Sequence, residues 1–314
     1  AGAARPVAAL SPRVTRVMGG NPGPFTLAGT NAYLVGCGAR RILIDAGEGR
    51  PEFLDNLRRA MEETGCTGLD AVLVTHWHQD HLGGVRSVQD ALVPPGGDPI
   101  PVLKFIPDVE EAPYRGDGGA LSVYDMWPRD KFCPVQHGEV LRTEGATLHL
   151  LHTPGHANDH VVAVLEEENA MFTGDNVLGE GTGVFRDLSE YLRSLNVMLD
   201  CAPDRLYPAH GPVVEDGPAK IREYVEHRQS RVRQVEEVLA AAPPGSQVRL
   251  EDITRAVYPA ELPSDLFVPA MGNTRNVLLH LEHLGQVVAS EANQGLSVSQ
   301  LGDLAWAVAP AAKI

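Results

Sequence analysis

Between Ala71 and His81 the chain reads Ala-Val-Leu-Val-Thr-His-Trp-His-Gln-Asp-His, an apolar run that ends in four candidate metal ligands within six positions. The run Ala71–Thr75 predicts a short strand of the kind buried on both faces. Packing alone gives no reason to concentrate imidazoles at the end of such a strand. His76 and His78 are separated by one residue, so in an extended or turning backbone both rings can project to one side. Asp80 and His81 fall on the next turn, where Gly83-Gly84 lets a helix start close against the strand. Three later residues each follow another apolar strand: His156 in Thr153-Pro-Gly-His156, Asp175 in Phe172-Thr-Gly-Asp175, and His210 in Tyr207-Pro-Ala-His210. Alone, each is an ordinary turn or cap residue. Together, in order and at strand ends, they mark a site for metal ions.

The rest of the chain supports a layered α/β architecture. Asn31–Val35 and Arg41–Asp45 flank Gly36-Cys-Gly38 and predict a hairpin, and Phe53, Leu57 and Met61 lie at helical spacing before a stop at Gly65. Further strands are expected at Thr147–His152, Val161–Leu165 and Ala170–Gly174. The proline- and glycine-rich stretch from Val93 to Asp130 shows little periodicity and reads as irregular loops. After Pro212 the character changes. A charged helix is expected over Lys220–Ala241, with Ile221, Val225, Val232, Val235 and Leu239 on one stripe. Two short helices, Leu250–Tyr258 and Thr274–Leu284, then lead to a two-stranded ribbon at Gln286–Ser290 and Leu304–Ala309, a winged-helix-like arrangement. This divides the 314 residues into 1–216 and 217–314.

Composition narrows the partners. With 26 Lys and Arg against 41 Asp and Glu, the net charge is -15, which repels duplex DNA over most of the surface. No apolar run reaches the ~20 residues of a membrane span. Cys37, Cys66, Cys133 and Cys201 lie far apart and form no disulfide framework, so a reducing compartment is expected. Residues 1–16 lack the apolar core of a secretory signal but carry Arg5, Arg13 and Arg16 with no acid. They read either as the remnant of an organellar presequence or as an exposed terminus, so the expected location is the mitochondrial matrix or the cytoplasm.

The HxHxDH pattern of His76–His81, with His156, Asp175 and His210 following in order, resembles the metallo-β-lactamase superfamily. The resemblance implies an αββα sandwich, followed here by the small winged-helix-like C-terminal domain. It also implies two ions, with His76, His78 and His156 on the first, Asp80, His81 and His210 on the second, and Asp175 bridging. Imidazole and carboxylate without thiolate suit two zinc ions. Asn21-Pro-Gly-Pro-Phe-Thr26, Gly29-Thr-Asn-Ala-Tyr-Leu-Val35, Thr75-His-Trp-His78, Leu178–Phe185, His227-Arg228 and Asn276–Leu281 resemble more closely the β-lactamase-like protein 2 family of metal-dependent endoribonucleases, whose animal members are mitochondrial. Fungal thioesterases that release polyketides from acyl carrier proteins are similar over the same N-terminal motifs.

Hydrolysis of single-stranded RNA is therefore the expected activity. A thioesterase acting on glutathione or acyl-carrier thioesters is the alternative, and a non-catalytic nucleic-acid-binding regulator is disfavoured by the complete ligand set. Asp80 is expected to orient the nucleophile as well as bind metal, and His160 to serve the leaving group or to pair behind a ligand. Asp45 is expected to hold a ligand imidazole or to be a plain turn residue. Asn21 and Phe25 in one loop, Thr182 in another and Arg228 on the charged helix are the expected substrate contacts.

Overall fold

The computed structural model describes residues 5–108, 115–116, 119–120, 123–243, 245–290 and 302–309. The chain runs through β1 (Val7–Ala9), β2 (Val14–Met18), β3 (Asn31–Val35), β4 (Arg40–Ile44), α1 (Pro51–Thr64), β5 (Gly68–Val74), α2 (Gln79–Leu82), α3 (Val85–Leu92) and β6 (Val102–Phe105). A two-residue pair, β7 (Arg115–Gly116) and β8 (Gly119–Ala120), precedes α4 (Val123–Met126) and β9 (Phe132–Val135). Then follow β10 (Val140–Thr143), β11 (Ala146–His152), β12 (Val161–Leu165), β13 (Ala170–Gly174), α5 (Leu188–Asp200) and β14 (Arg205–Pro208). The C-terminal part holds α6 (Gly217–Ala241), β15 (Val248–Arg249), α7 (Leu250–Val257), α8 (Ser264–His283), β16 (Val287–Ala289) and β17 (Ala305–Val308).

Seven strands form one sheet in the order β1-β2-β3-β4-β5-β6-β9, and five form a second in the order β10-β11-β12-β13-β14. Between the sheets lie Tyr33, Ile42, Ile44 and Leu73 from the first and Leu148, Leu150, Val161, Phe172 and Tyr207 from the second. The rings of Tyr33, Phe172 and Tyr207 pack with centroids 5.0–5.6 Å apart, and each buried side chain of this size contributes about 1.5–3 kcal/mol. α1 and α3 cover the outer face of the first sheet through Phe53, Leu57, Val85 and Val88. α5 and α6 cover the second through Leu195, Met198, Ile221 and Tyr224. The result is the four-layer αββα sandwich. α6, α7 and α8 continue the core of that outer face through Leu239, Ile253, Val277 and Leu281.

The expected hairpin is β3–β4, and the helix from Phe53 is α1, started by Pro51 and stopped by Gly65 in the left-handed conformation at φ 68°. Three expectations are corrected. Within Val93–Asp130 the structure places β6 inside the first sheet, paired on both sides, and α4 beyond it; the remainder of that stretch includes residues outside those described. Lys104 interrupts the apolar pattern of β6, yet it is buried and neutralised by an ion pair with Asp159. α8 begins ten residues earlier than expected and carries Pro269 inside it. The lost N–H costs one helical hydrogen bond, while Ala270 and Met271 just beyond the proline are buried. The ribbon has a third strand, in the order β15-β17-β16.

The two sheets meet at the strand ends that carry the histidines. Val161 N–H donates to Thr75 O at 2.8 Å and Asn31 N–H to Ala209 O at 2.6 Å, while Asn31 Nδ2 donates to Pro208 O and Gly211 O, both at 2.9 Å. Gly84 is needed where the turn after His81 presses on the first sheet, since a Cβ there would lie 1.9 Å from Ala46 O.

Candidate metal centre

The seven expected ligands converge in two adjoining groups, His76–His78–His156–Asp175 and Asp80–His81–His210. The first sheet supplies the residues after β5, and the second sheet supplies His156 before β12, Asp175 after β13 and His210 after β14. Asp175 stands between the groups. Its Oδ2 lies 3.6 Å from His156 Nε2 and 4.0 Å from His76 Nε2. Its Oδ1 lies 3.2 Å from His210 Nε2 and 3.5 Å from His81 Nε2. In the second group Asp80 Oδ2 is 3.2 Å from His81 Nε2 and 3.3 Å from His210 Nε2.

Neighbouring acceptors fix which nitrogen of each ring points inward. Asp45, at φ 62° after β4, accepts Thr75 N–H on Oδ1 at 2.8 Å. Its Oδ2 accepts His81 Nδ1–H at 2.8 Å and the Thr75 hydroxyl at 2.9 Å. Thr75 Oγ1 in turn accepts His76 Nδ1–H at 3.0 Å. One carboxylate thus orients a ligand from each group. On the other sheet, His156 Nδ1–H donates to Val184 O at 2.8 Å. Each of these rings is left with the Nε2 lone pair facing the centre.

The donor set fits divalent cations. His78 Nδ1 lies 2.9 Å from His76 Nε2 and 3.0 Å from His156 Nε2, so lone pairs outnumber the protons that could bridge them. Buried His81 Nε2 and Asp175 Oδ1 make no directed hydrogen bond despite their close neighbours. Burial and the adjacent histidines hold His76 and His78 well below the usual imidazole range. In the second group burial is outweighed by Asp80, Asp45 and Asp175, which hold His81 well above it, and by Asp175 and Asp80, which lift His210 to about 9. Burial opposes charge on Asp80 and Asp175 as well, but the histidines around them hold both carboxylates below their ordinary range.

The remaining expected site residues fall in different places. Phe25 is 61% exposed at the tip of its loop and Thr182 is exposed in its own. Asn21 is buried: its Oδ1 accepts Thr30 N–H at 2.9 Å and its Nδ2 donates to Thr30 Oγ1 at 3.0 Å. Thr30 Oγ1 then donates to Asp80 Oδ2 at 2.8 Å. Asn21 therefore acts on the site through Thr30 rather than by touching substrate. His160 is fully buried behind Asp175. Its Nε2 accepts Asp175 N–H at 3.2 Å and its Nδ1 donates to Thr153 Oγ1 at 3.1 Å. Burial holds the ring well below the usual imidazole range, and both ring nitrogens are engaged by Thr153 and Asp175 N–H, so His160 is placed to steady Asp175. Arg228 is also buried and donates to Gly183 O at 2.6 Å. It braces the loop from below instead of lining the groove. Sequence reasoning missed Thr30 and the role of Thr75, although both stand inside motifs already singled out. It also missed Arg186, whose guanidinium sits 5.4 Å from the Trp77 ring next to His78.

The metallo-β-lactamase superfamily model matches residues 25–210. The chain belongs to that superfamily. Metallo-β-lactamase proteins are metal-dependent hydrolases, and this member keeps their histidine and aspartate cluster. It is 39% identical over 277 residues to the beta-lactamase-like protein 2 homolog of Caenorhabditis elegans, covering 88% of this chain and 86% of the relative. The homolog in Drosophila melanogaster is 38% identical over 288 residues, 91% of this chain and 93% of the relative. An atrochrysone carboxyl ACP thioesterase of Aspergillus chevalieri is 44% identical over 228 residues, 72% of this chain and 65% of that protein. The solved beta-lactamase domain protein from Burkholderia ambifaria shares the metallo-β-lactamase fold at TM-score 0.73 and 19% identity, over 96% of this chain and 93% of that one. Among the described residues no helix is long and apolar enough to cross a membrane.

Proposed function

We propose that this metallo-β-lactamase protein is a dinuclear zinc-dependent endoribonuclease acting on single-stranded RNA. The observation that carries the dinuclear reading is Asp175, which presents one carboxylate oxygen to each ligand group. His76, His78 and His156 would hold one ion, Asp80, His81 and His210 the other, with Asp175 shared. When bound, the ions supply Lewis acidity and lower the pKa of water, chemistry that serves phosphodiester and thioester hydrolysis alike.

The chain's own groups do the positioning. Asp45, Thr75 and Val184 O hold the Nδ1 protons of His81, His76 and His156, and Thr30 holds Asp80. Asp80 would orient the attacking water. Exposed Phe25 offers a face on which a base stacks. The net charge of -15 restricts phosphate recognition to a short contact at the site. RNA is favoured over a thioester by similarity that runs through the C-terminal part of the β-lactamase-like protein 2 homologs, whereas the thioesterase match spans 72% of this chain. The thioester reading has one feature in its favour: Phe25 and Val184 expose apolar surface that suits an acyl chain.

The test incubates the purified protein with end-labelled single-stranded RNA, the matching duplex, an acyl-glutathione and an acyl-carrier thioester, each with and without chelator. Chelator-sensitive cleavage of the single strand with the duplex spared supports the proposal. Intact RNA alongside rapid thioester turnover replaces it with the thioesterase reading.

A further inference from the structure

The stretch between β13 and α5 is held by side chains that reach it from the C-terminal helices. Tyr224 Oη on α6 accepts Leu178 N–H at 2.9 Å and donates to Gly181 O at 2.9 Å. Arg228, one turn further along α6, donates through Nη2 to Gly183 O at 2.6 Å. Asn276 Nδ2 on α8 donates to Phe185 O at 2.6 Å. Between the last two held carbonyls lies Val184 O, the acceptor of the His156 Nδ1 proton.

Arg228 is an unusual choice for a mere brace. It is 3% exposed, its Nε has no hydrogen-bond partner, and it makes no ion pair among the described residues. Its guanidinium instead sits against three rings, 4.8 Å from Phe185, 5.3 Å from Tyr191 and 5.9 Å from Tyr224. A buried cation without a counter-charge is costly, and the aromatic faces offset part of that cost. What the charge secures is a strong hydrogen bond to the carbonyl next to Val184.

We propose that Arg228, together with Tyr224 and Asn276, is a positioning residue for the metal ligand His156. By fixing the carbonyls on either side of Val184, the C-terminal helices keep Val184 O on His156 Nδ1, and so set the affinity of the His76–His78–His156 group. The proposal rests on the reading of those histidines as metal ligands and is independent of which substrate is cleaved. It also assigns the C-terminal part a task within the metal centre that nucleic-acid binding would not require.

Arg228→Met keeps the bulk of the side chain and removes the charge and the donor; Tyr224→Phe removes only the hydroxyl, and the milder change guards against a variant that fails to fold. Each is titrated with Zn2+ against a competing chelator and with Co2+ by visible absorption, alongside thermal melting. The expected result is an affinity lowered about 10- to 100-fold for one of the two ions, with the other unchanged and an altered Co2+ spectrum at the weakened site. Asn276→Ala should weaken the same ion. Wild-type affinity for both ions in Arg228→Met, or equal weakening of both in step with the melting temperature, overturns the proposal. Because metal binding is read without substrate, a wild-type protein that binds both ions and leaves RNA intact counts against the proposed activity alone.

Discussion

Thr30→Val removes a hydroxyl that makes two hydrogen bonds beside the second ligand group, one to Asp80 and one from Asn21. Valine matches threonine in shape, so no cavity opens, and Thr30 N–H still reaches Asn21 Oδ1 at 2.9 Å. What disappears is the hydroxyl that donates to Asp80 Oδ2 at 2.8 Å. Asn21 Nδ2, which bonds that hydroxyl at 3.0 Å, keeps Glu48 Oε2 at 3.3 Å. A hydrogen bond to a charged group is worth about 1.5–3 kcal/mol, and at ~1.4 kcal/mol per tenfold that is roughly one to two orders of magnitude in affinity. Residues that orient metal ligands elsewhere give the same range, about 10- to 100-fold. Chelator competition should therefore show one ion weakened by that factor in Thr30→Val and restored in Thr30→Ser. The ion held by His76, His78 and His156 should bind as before. Unchanged affinity for both ions, or failure of serine to rescue, would show that Asp80 is held by something other than this hydroxyl.

Asp45→Ala should behave differently, because it strands the Thr75 N–H, the Thr75 hydroxyl and the His81 Nδ1 proton together; both ions should weaken and the metal-free protein should lose about 1–3 kcal/mol per stranded group, and weakening confined to one ion would contradict the shared role. In the metal-free protein, burial disfavours charge on His210 but Asp175 and Asp80 raise it to about 9 from 6.5. Its contribution to stability is then complete below about 6.5 and is lost as pH rises through about 9. Chelated protein should melt progressively lower across that window while metal-loaded protein holds its Tm, and a flat metal-free profile would refute the assignment. Phe25→Ala should raise KM for RNA by the ~1–3 kcal/mol of one stacked base, with Tm unchanged because the ring is 61% exposed; an unaltered KM would remove Phe25 from the substrate path.

The candidate ligands were readable because residues that are ordinary one at a time recur together at strand ends, after β5, β13 and β14 and before β12. The groups that orient them were less so. Val184 acts through its backbone carbonyl, which leaves no mark in side-chain identity. Asp45 looked equally like a turn residue, and its left-handed backbone shows that it is one while also serving His81. Arg228 was singled out for its charge and expected to touch substrate. Yet Ile221, Tyr224, Arg228, Val235 and Leu239 form the buried stripe of α6 at three-, four- and seven-residue intervals; the period had placed the arginine inside, and its charge argued the other way. β6 was hidden by the proline and glycine around it and by Lys104, a cation in a short apolar run whose partner Asp159 lies 55 residues away.

The candidate ligands come from both sheets, four from the turn after β5 and three from the ends of the second sheet. Such a centre behaves as a stitch across the open edge of a book. Any ion bound by both sheets stabilises the folded chain by an amount that grows with its free concentration, ~4 kcal/mol at a thousandfold excess over Kd. A cell short of metal would thus accumulate a protein whose edge opens more often, exposing the loop around Phe25 and the turn after β5 to proteases. Abundance of this protein should track metal supply even where its transcript does not change.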